Sequence, residues 1–250
     1  MPLLELADII DKVNNKAVVN YQDNQYLTIR QRAIKEAAQE LGIKSGLAWA
    51  SKIINARLEK AASYLDQIYN FNAIVLESNV LPPVIFFGDQ SLSLDGSEEK
   101  LRVTGVRYEI AQKARFYTAL PSWRDYLIQN YIAPEWPNKA LLPENSDEKK
   151  LWVKTLAYAW LDGISQAEEV YKVSLGRLTL TYKGMLLYHQ LVAYHMITPI
   201  HVKKVNTGVT MTDNQMIVDD NQWYVDTQAK FNKELARWQP YLVDTQKANK

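Results

Sequence analysis

Ile54, Leu58, Ala61, Leu65, Ile68, Asn72 and Val75 recur at alternating steps of four and three, the spacing that lines one face of a long α-helix. A chain with such a stripe must bury it, so a helical core sets the terms for everything else. Asn72 and Ser51 dilute the stripe, which favours a core helix over a coiled-coil seam. Upstream the pattern extends through Leu47 and Ser51 from a start at Ile34, Ala38 and Leu41, with Gly42 and Gly46 interposed. Two glycines inside a helix predict a kink or a break there. Pro82 and Pro83 then forbid further helix and turn the chain after Val80.

A second long helix is predicted from Ser146, read as an N-cap followed by the acidic first-turn residues Asp147 and Glu148. Trp152, Leu156, Trp160, Gly163, Ala167 and Val170 share a stripe on it, and Gly163 with Ala167 offers a small-residue notch for the first helix. Leu178 to Tyr182 alternates like a strand but sits between helical patterns, and it is read as helix. Strands are expected around Leu92 and Leu94, with a turn at Asp95-Gly96, and from Arg102 to Tyr117. Ser122 can cap a short helix from Trp123 to Tyr131, closed by Pro134 and Pro137. After Pro199 the period drops to two. Val205, Thr207, Val209 and Met211 alternate, Asp213-Asn214 can turn, and Asp220-Asn221 can turn again before Trp223 and Val225, which predicts a small meander. A final short helix carries Phe231, Leu235 and Trp238. The reading is α+β and mainly α: two long packed helices with short antiparallel strand meanders. Residues 1–27, amide-rich from Asn14 to Gln25, are expected as a flexible N-terminal tether, and 28–250 as a single domain.

Composition narrows the chemistry. With 29 Lys and Arg against 28 Asp and Glu, the chain lacks the basic excess that dominates non-specific nucleic-acid binding, and no direct nucleic-acid contact is expected. Zero cysteines remove disulfides, thiol catalysis and Cys-type zinc sites. His189, His195 and His201 stand six residues apart, which on a helix turns neighbours about 120° from each other, unlike an i, i+4 zinc pair. No nucleophile-elbow, phosphate-loop or dinucleotide glycine pattern occurs. Glu168-Glu169 reads as a solvated helix face, and Asp219-Asp220 as turn chemistry. No cofactor, metal or catalytic residue is expected.

The densest remaining feature is Phe116 to Pro137, holding Phe116, Tyr117, Trp123, Tyr126, Tyr131 and Trp136 with three prolines. These aromatics either cap the helices internally or form an exposed recognition surface, since Trp and Tyr are the usual interface anchors.

Eight strings stand in this order along the chain: Gly46-Leu47-Ala48-Trp49, Asp66-Gln67-Ile68-Tyr69-Asn70-Phe71-Asn72, Leu81-Pro82-Pro83-Val84, Pro121-Ser122-Trp123-Arg124, Gly163-Ile164-Ser165-Gln166-Ala167, Gly184-Met185-Leu186-Leu187-Tyr188, Gly208-Val209-Thr210 and Trp238-Gln239-Pro240. From about residue 30 to 240 the chain thereby resembles the DotC family, lipoproteins of the type IVB (Dot/Icm) secretion system, and its conjugation counterpart, the TraI lipoproteins of IncI-type plasmids. None of the strings is a catalytic motif.

The resemblance implies an outer-membrane-associated, periplasm-facing subunit of a ring-shaped secretion core. It would assemble with DotH-like and DotD-like proteins, help place the DotH-like one at the outer membrane, and have no enzyme activity. It also implies an acylated N-terminal cysteine, absent from these residues, with the amide-rich stretch as tether. Partner contact is expected on the segment from Trp123 to Trp136, at Trp123, Arg124, Tyr126, Tyr131 and Trp136, and on the meander from Val205 to Val225, at Val205, Val209 and Trp223, where unpaired edges could accept a neighbour's strand; the other reading of the meander is a strand pair folded onto the chain's own helices. On this reading Trp123→Ala with Tyr126→Ala should leave the fold intact and abolish incorporation into the complex. The competing reading is a periplasmic enzyme or solute-binding protein acting on cell-wall or small ligands, because aromatics also line such pockets.

Overall fold

The computed structural model describes residues 27–94 and 101–239. In chain order these form α1 (Ile29–Lys60), α2 (Ala62–Ile68), a 3₁₀ turn at Phe71–Ala73, β1 (Val80–Leu81), β2 (Val84–Leu94), β3 (Leu101–Gln112), β4 (Arg115–Phe116), α3 (Trp123–Leu127), a 3₁₀ turn at Lys139–Leu141, α4 (Ser146–Ala193), β5 (His201–Thr212), β6 (Gln215–Thr227) and a 3₁₀ turn at Leu235–Arg237. The fold is α+β, dominated by α1 and α4, with three separate two-stranded antiparallel sheets, β1–β4, β2–β3 and β5–β6. The tether expected over residues 1–27 lies, apart from Leu27, outside the described residues, as does the turn expected at Asp95-Gly96.

Two compact units share the chain. One comprises the residues up to Leu65 with Arg124–Gly176, the other Asp66–Trp123 with the residues from Arg177 onward.

In the first unit, Thr28 starts α1 with a capping box: its hydroxyl accepts from Gln31 N, and the Gln31 side chain accepts from Thr28 N. Two orphan donors of the first turn are thereby satisfied. No break occurs at Gly42 and Gly46. The buried face of α1 advances by four residues at a time through Ile34, Ala38, Gly42, Gly46 and Ala50, and α4 answers with Ala159, Gly163 and Ala167. A β-carbon at Gly42 would stand 2.6 Å from the Ala159 side chain and 2.8 Å from the Leu156 carbonyl. One at Gly46 would strike the Trp160 carbonyl, and one at Gly163 would strike the Ile43 carbonyl and lie 2.8 Å from Leu47 N. The glycines are there because the two backbones meet without side chains between them, which outweighs their poor helix propensity of about 1 kcal/mol each. The stripe from Ile54 to Val75 is not one helix face. It divides among α1, α2 and the 3₁₀ turn, leaving Ile68 exposed and burying Phe71 instead.

Asn145, not Ser146, caps α4: its carboxamide accepts from Glu148 N at 2.8 Å. Glu148, 4% exposed, accepts from Glu144 N at 2.9 Å and from Arg30 Nε at 3.0 Å. The same guanidinium reaches Glu144 at 3.0 Å and donates to the Ala140 carbonyl at 3.2 Å, so one side chain ties the start of α1 to the approach of α4. The backbone N–H of Glu144 first, and Arg30 after it, hold the Glu148 carboxyl below its ordinary range against the opposing effect of burial. A depressed folded value means stabilisation that is complete above the unfolded glutamate range and is lost as pH falls through the folded one. Glu148→Gln should therefore melt below the parent at pH 7, with the gap closing as pH drops below about 4, read by thermal melts across pH.

In the second unit, Pro82 and Pro83 are buried and lead into β2, whose base residues Val84 and Ile85 pack on Gly184 of α4. The segment Leu178–Tyr182 is helix, as expected. Ile85, Tyr188, Leu191, Ile197 and Ala229 form its core. Tyr182 receives Tyr69 and Phe71 edge-on, with ring centroids 5.5 and 5.3 Å away. Gln228 brackets Ala114, accepting from its N–H and donating to its carbonyl, each at 3.1 Å.

Residues 205–225 belong to one long hairpin, not a meander. Asp213-Asn214 makes the turn, but Asp219-Asp220 and Asn221 lie within β6 at a bulge. There Gly208 (φ 72) faces Asp220, and Asp219 (φ 58) is skipped by the ladder. The Asp-Asn signal marks a bulge because positive φ is what both turns and bulges require. The helix expected to Tyr131 stops at Leu127, since the Asn55 side chain takes both the N–H and the carbonyl of Gln129. The expected terminal helix is a single 3₁₀ turn.

Candidate functional site

The residues singled out for partner contact fall into three settings. Trp123, in the second unit, is 1% exposed, and its indole N–H donates to Asp66 at 2.6 Å. It holds the fold and presents no face to a partner. Arg124 pairs with Glu59 at 3.4 Å, and Tyr126 is half-buried with its carbonyl accepting from Gln129 Nε2.

Tyr131 and Trp136 come together in the first unit, where residues 129–136 cross the α1–α4 pair as an irregular wall. Asn55 pins the wall at Gln129, and Pro134 removes a donor that regular structure would need. Behind the wall lies a groove of about 590 Å³, floored by Trp49 and Trp160 (ring centroids 5.9 Å apart) with Leu41 and Leu156. Three of the chain's seven tryptophans line it. Trp136 at 62% and Ile132 at 91% exposure form its lip.

Val205, Val209 and Trp223 lie on the β5–β6 hairpin. Lys204 stacks over Trp223, its cross-strand partner, at 5.3 Å, an exposed cation–π pair. Beyond the bulge, Val209 pairs with Val218 and Met211 with Met216. Paired residues two apart share a face, so these four form one apolar surface, with Met211 72% exposed. Neither outer edge of the hairpin has a strand beside it among the described residues. A two-stranded ribbon is marginal in water without something packed on it.

Met211, Met216 and Val218 lie within the expected Val205–Val225 surface but were not singled out in sequence. The signal was present: the pairs are symmetric about Asp213-Asn214, so folding the period-two pattern about that turn places them opposite each other. Ile132 likewise lies within the expected Trp123–Trp136 segment without being singled out, and Trp160 was read as a core position alone.

Elsewhere the chemistry is sparse. His189 faces the Ile74 carbonyl at 2.7 Å, His195 sits at positive φ after α4, and His201 opens β5. Glu168 and Glu169 are both exposed on α4. Among the described residues no three His, Cys, Asp or Glu side chains cluster to hold a metal, and no helix is long and apolar enough to cross a membrane.

Comparison with known proteins gives one family. Residues 28–240 match the TraI family model, described as type IV secretory system, conjugal DNA-protein transfer. No curated protein matches the chain.

Proposed function

Given that the chain belongs to this type IV secretory, conjugal DNA-protein transfer family, we propose that it is a structural subunit of the outer-membrane core complex of a type IVB secretion or conjugation system. Its partners are DotH-like and DotD-like proteins, and its task is to help place the DotH-like subunit at the outer membrane, at the periplasmic face. Family membership points to the cell envelope in general; the finer placement is our reading. A role in assembly, with no reaction catalysed, is part of the same proposal.

The observation that carries it is the β5–β6 hairpin, an apolar surface with two edges left open among the described residues. A neighbour can add a strand to either edge, and its own apolar residues can cover Val209, Met211, Met216 and Val218. Val205 and Trp223 are assigned to the rim of such contacts, where charges and aromatics border a dry centre. Repetition of the contact around an axis would give a ring of copies.

The test is Met211→Lys with Val218→Lys in the full-length protein, purified by affinity from detergent-solubilised envelopes of cells carrying the whole system. Both side chains are exposed, so the melting temperature should stay within about 2 °C of the parent. The parent should retain DotH-like and DotD-like subunits, and the variant should lose at least about nine-tenths of them. A parent that purifies alone defeats the assembly reading, whereas a variant that keeps its partners defeats only the assignment to the hairpin.

A further inference from the structure

We propose that the groove of the first unit binds an extended, acidic, apolar-rich peptide segment about six residues long. Its length comes from α1: lining residues run from Leu41 to Asn55, about 21 Å at 1.5 Å per residue, which an extended chain rising about 3.3 Å per residue covers in six. The volume of about 590 Å³ suits side chains entering from such a strand.

Charge sets the sign of the occupant. Lys52 is the only charged side chain lining the groove, and no acidic partner holds its ammonium among the described residues. A carboxylate on the incoming segment completes that pair. Polar spacing separates a peptide from a lipid. Polar groups stand at two places on the lining, Ser45 and, about 10 Å further along α1, Lys52 with the Asn55–Gln129 pair, whereas an acyl chain needs polar groups at one end only. Trp49, half-buried, supplies a flat apolar face on which proline or leucine packs, with the buried Trp160 ring beside it.

The purified chain alone suffices for the test, so its outcome is independent of the assembly reading. Fluorescein-labelled hexapeptides DLPDLP and KLPKLP are titrated in fluorescence anisotropy, with laurate as competitor. The acidic peptide should bind at least about tenfold tighter than the basic one, and Lys52→Glu should reverse that order. Trp136→Ala should weaken the acidic peptide about tenfold with the melting temperature unchanged. The proposal is overturned by equal affinity for the two peptides, by no binding of either at about millimolar concentration, by a Lys52→Glu variant that behaves like the parent, or by laurate displacing the peptide at lower concentration than the peptide itself requires.

Discussion

Gly163→Leu is expected to unfold the first unit, with a loss of at least about 3 kcal/mol in urea denaturation followed by circular dichroism. The site has no slack. Even a β-carbon at Gly163 would strike the Ile43 carbonyl and crowd Leu47 N, and peptide groups inside a hydrogen-bonded helix cannot rotate away as a side chain can. Relief would require α1 and α4 to separate, exposing Ile34, Ala38 and Trp152, which pack together at one end of the contact. Gly176, on the same helix, is the control. Nothing lies within 4 Å of where its β-carbon would stand, so Gly176→Ala should gain about 0.5–1 kcal/mol by removing backbone freedom from the unfolded chain. Equal effects at the two sites would show that helix propensity, and not backbone approach, governs these glycines.

Trp123→Ala should destabilise the second unit by about 3–5 kcal/mol, the range for emptying a buried aromatic site. Two losses combine: the volume of an indole that is 1% exposed, and the 2.6 Å hydrogen bond to Asp66. Trp123→Phe separates them, keeping most of the apolar volume while removing the donor, and is expected to lose about 1–3 kcal/mol. Thermal melts with near-ultraviolet dichroism read both. Trp123→Ala with Tyr126→Ala thus cannot test partner contact, because a failure to assemble would follow from unfolding. Exposed Met211 and Val218 carry that test instead.

The strongest sequence signals were those with a single physical cause. Pro82 and Pro83 turn the chain wherever they stand, and Gly163 with Ala167 marked the face of α4 that meets α1. Gly42 and Gly46 misled because glycine's intrinsic preference and its use in close packing point in opposite directions, and only the partner helix decides between them. Asp219-Asp220-Asn221 misled for a related reason: the residues that accept positive φ at a turn also accept it at a bulge, and cross-strand register distinguishes the two. The aromatics between Phe116 and Pro137 were legible as a group but not individually. Indole and phenol rings serve cores and surfaces alike, so the buried Trp123 and the exposed Trp136 look the same in one dimension. The groove was least legible, since it joins residues of α1, α4 and an irregular segment far apart in the sequence.

The interleaving of the two units bears on how the chain becomes a folded protein. Each unit is assembled from two stretches of sequence, and the stretch Asp66–Trp123 of one is enclosed by the halves of the other. The Arg30–Glu148 pair spans 118 residues, and the glycine contacts between α1 and α4 span nearly as many. Contacts so distant along the chain form slowly, because the loop must close before any of them is gained. A chain emerging from its amino end therefore has no finished unit to fold when Trp123 appears. Until α4 is complete, the row Ala38, Gly42, Gly46 and Ala50 faces solvent, and so do the residues that later receive Gly184. During synthesis neither unit is finished until α4 emerges; α4 then completes the first unit, while the second still waits for Ile197 and Ala229 of its core.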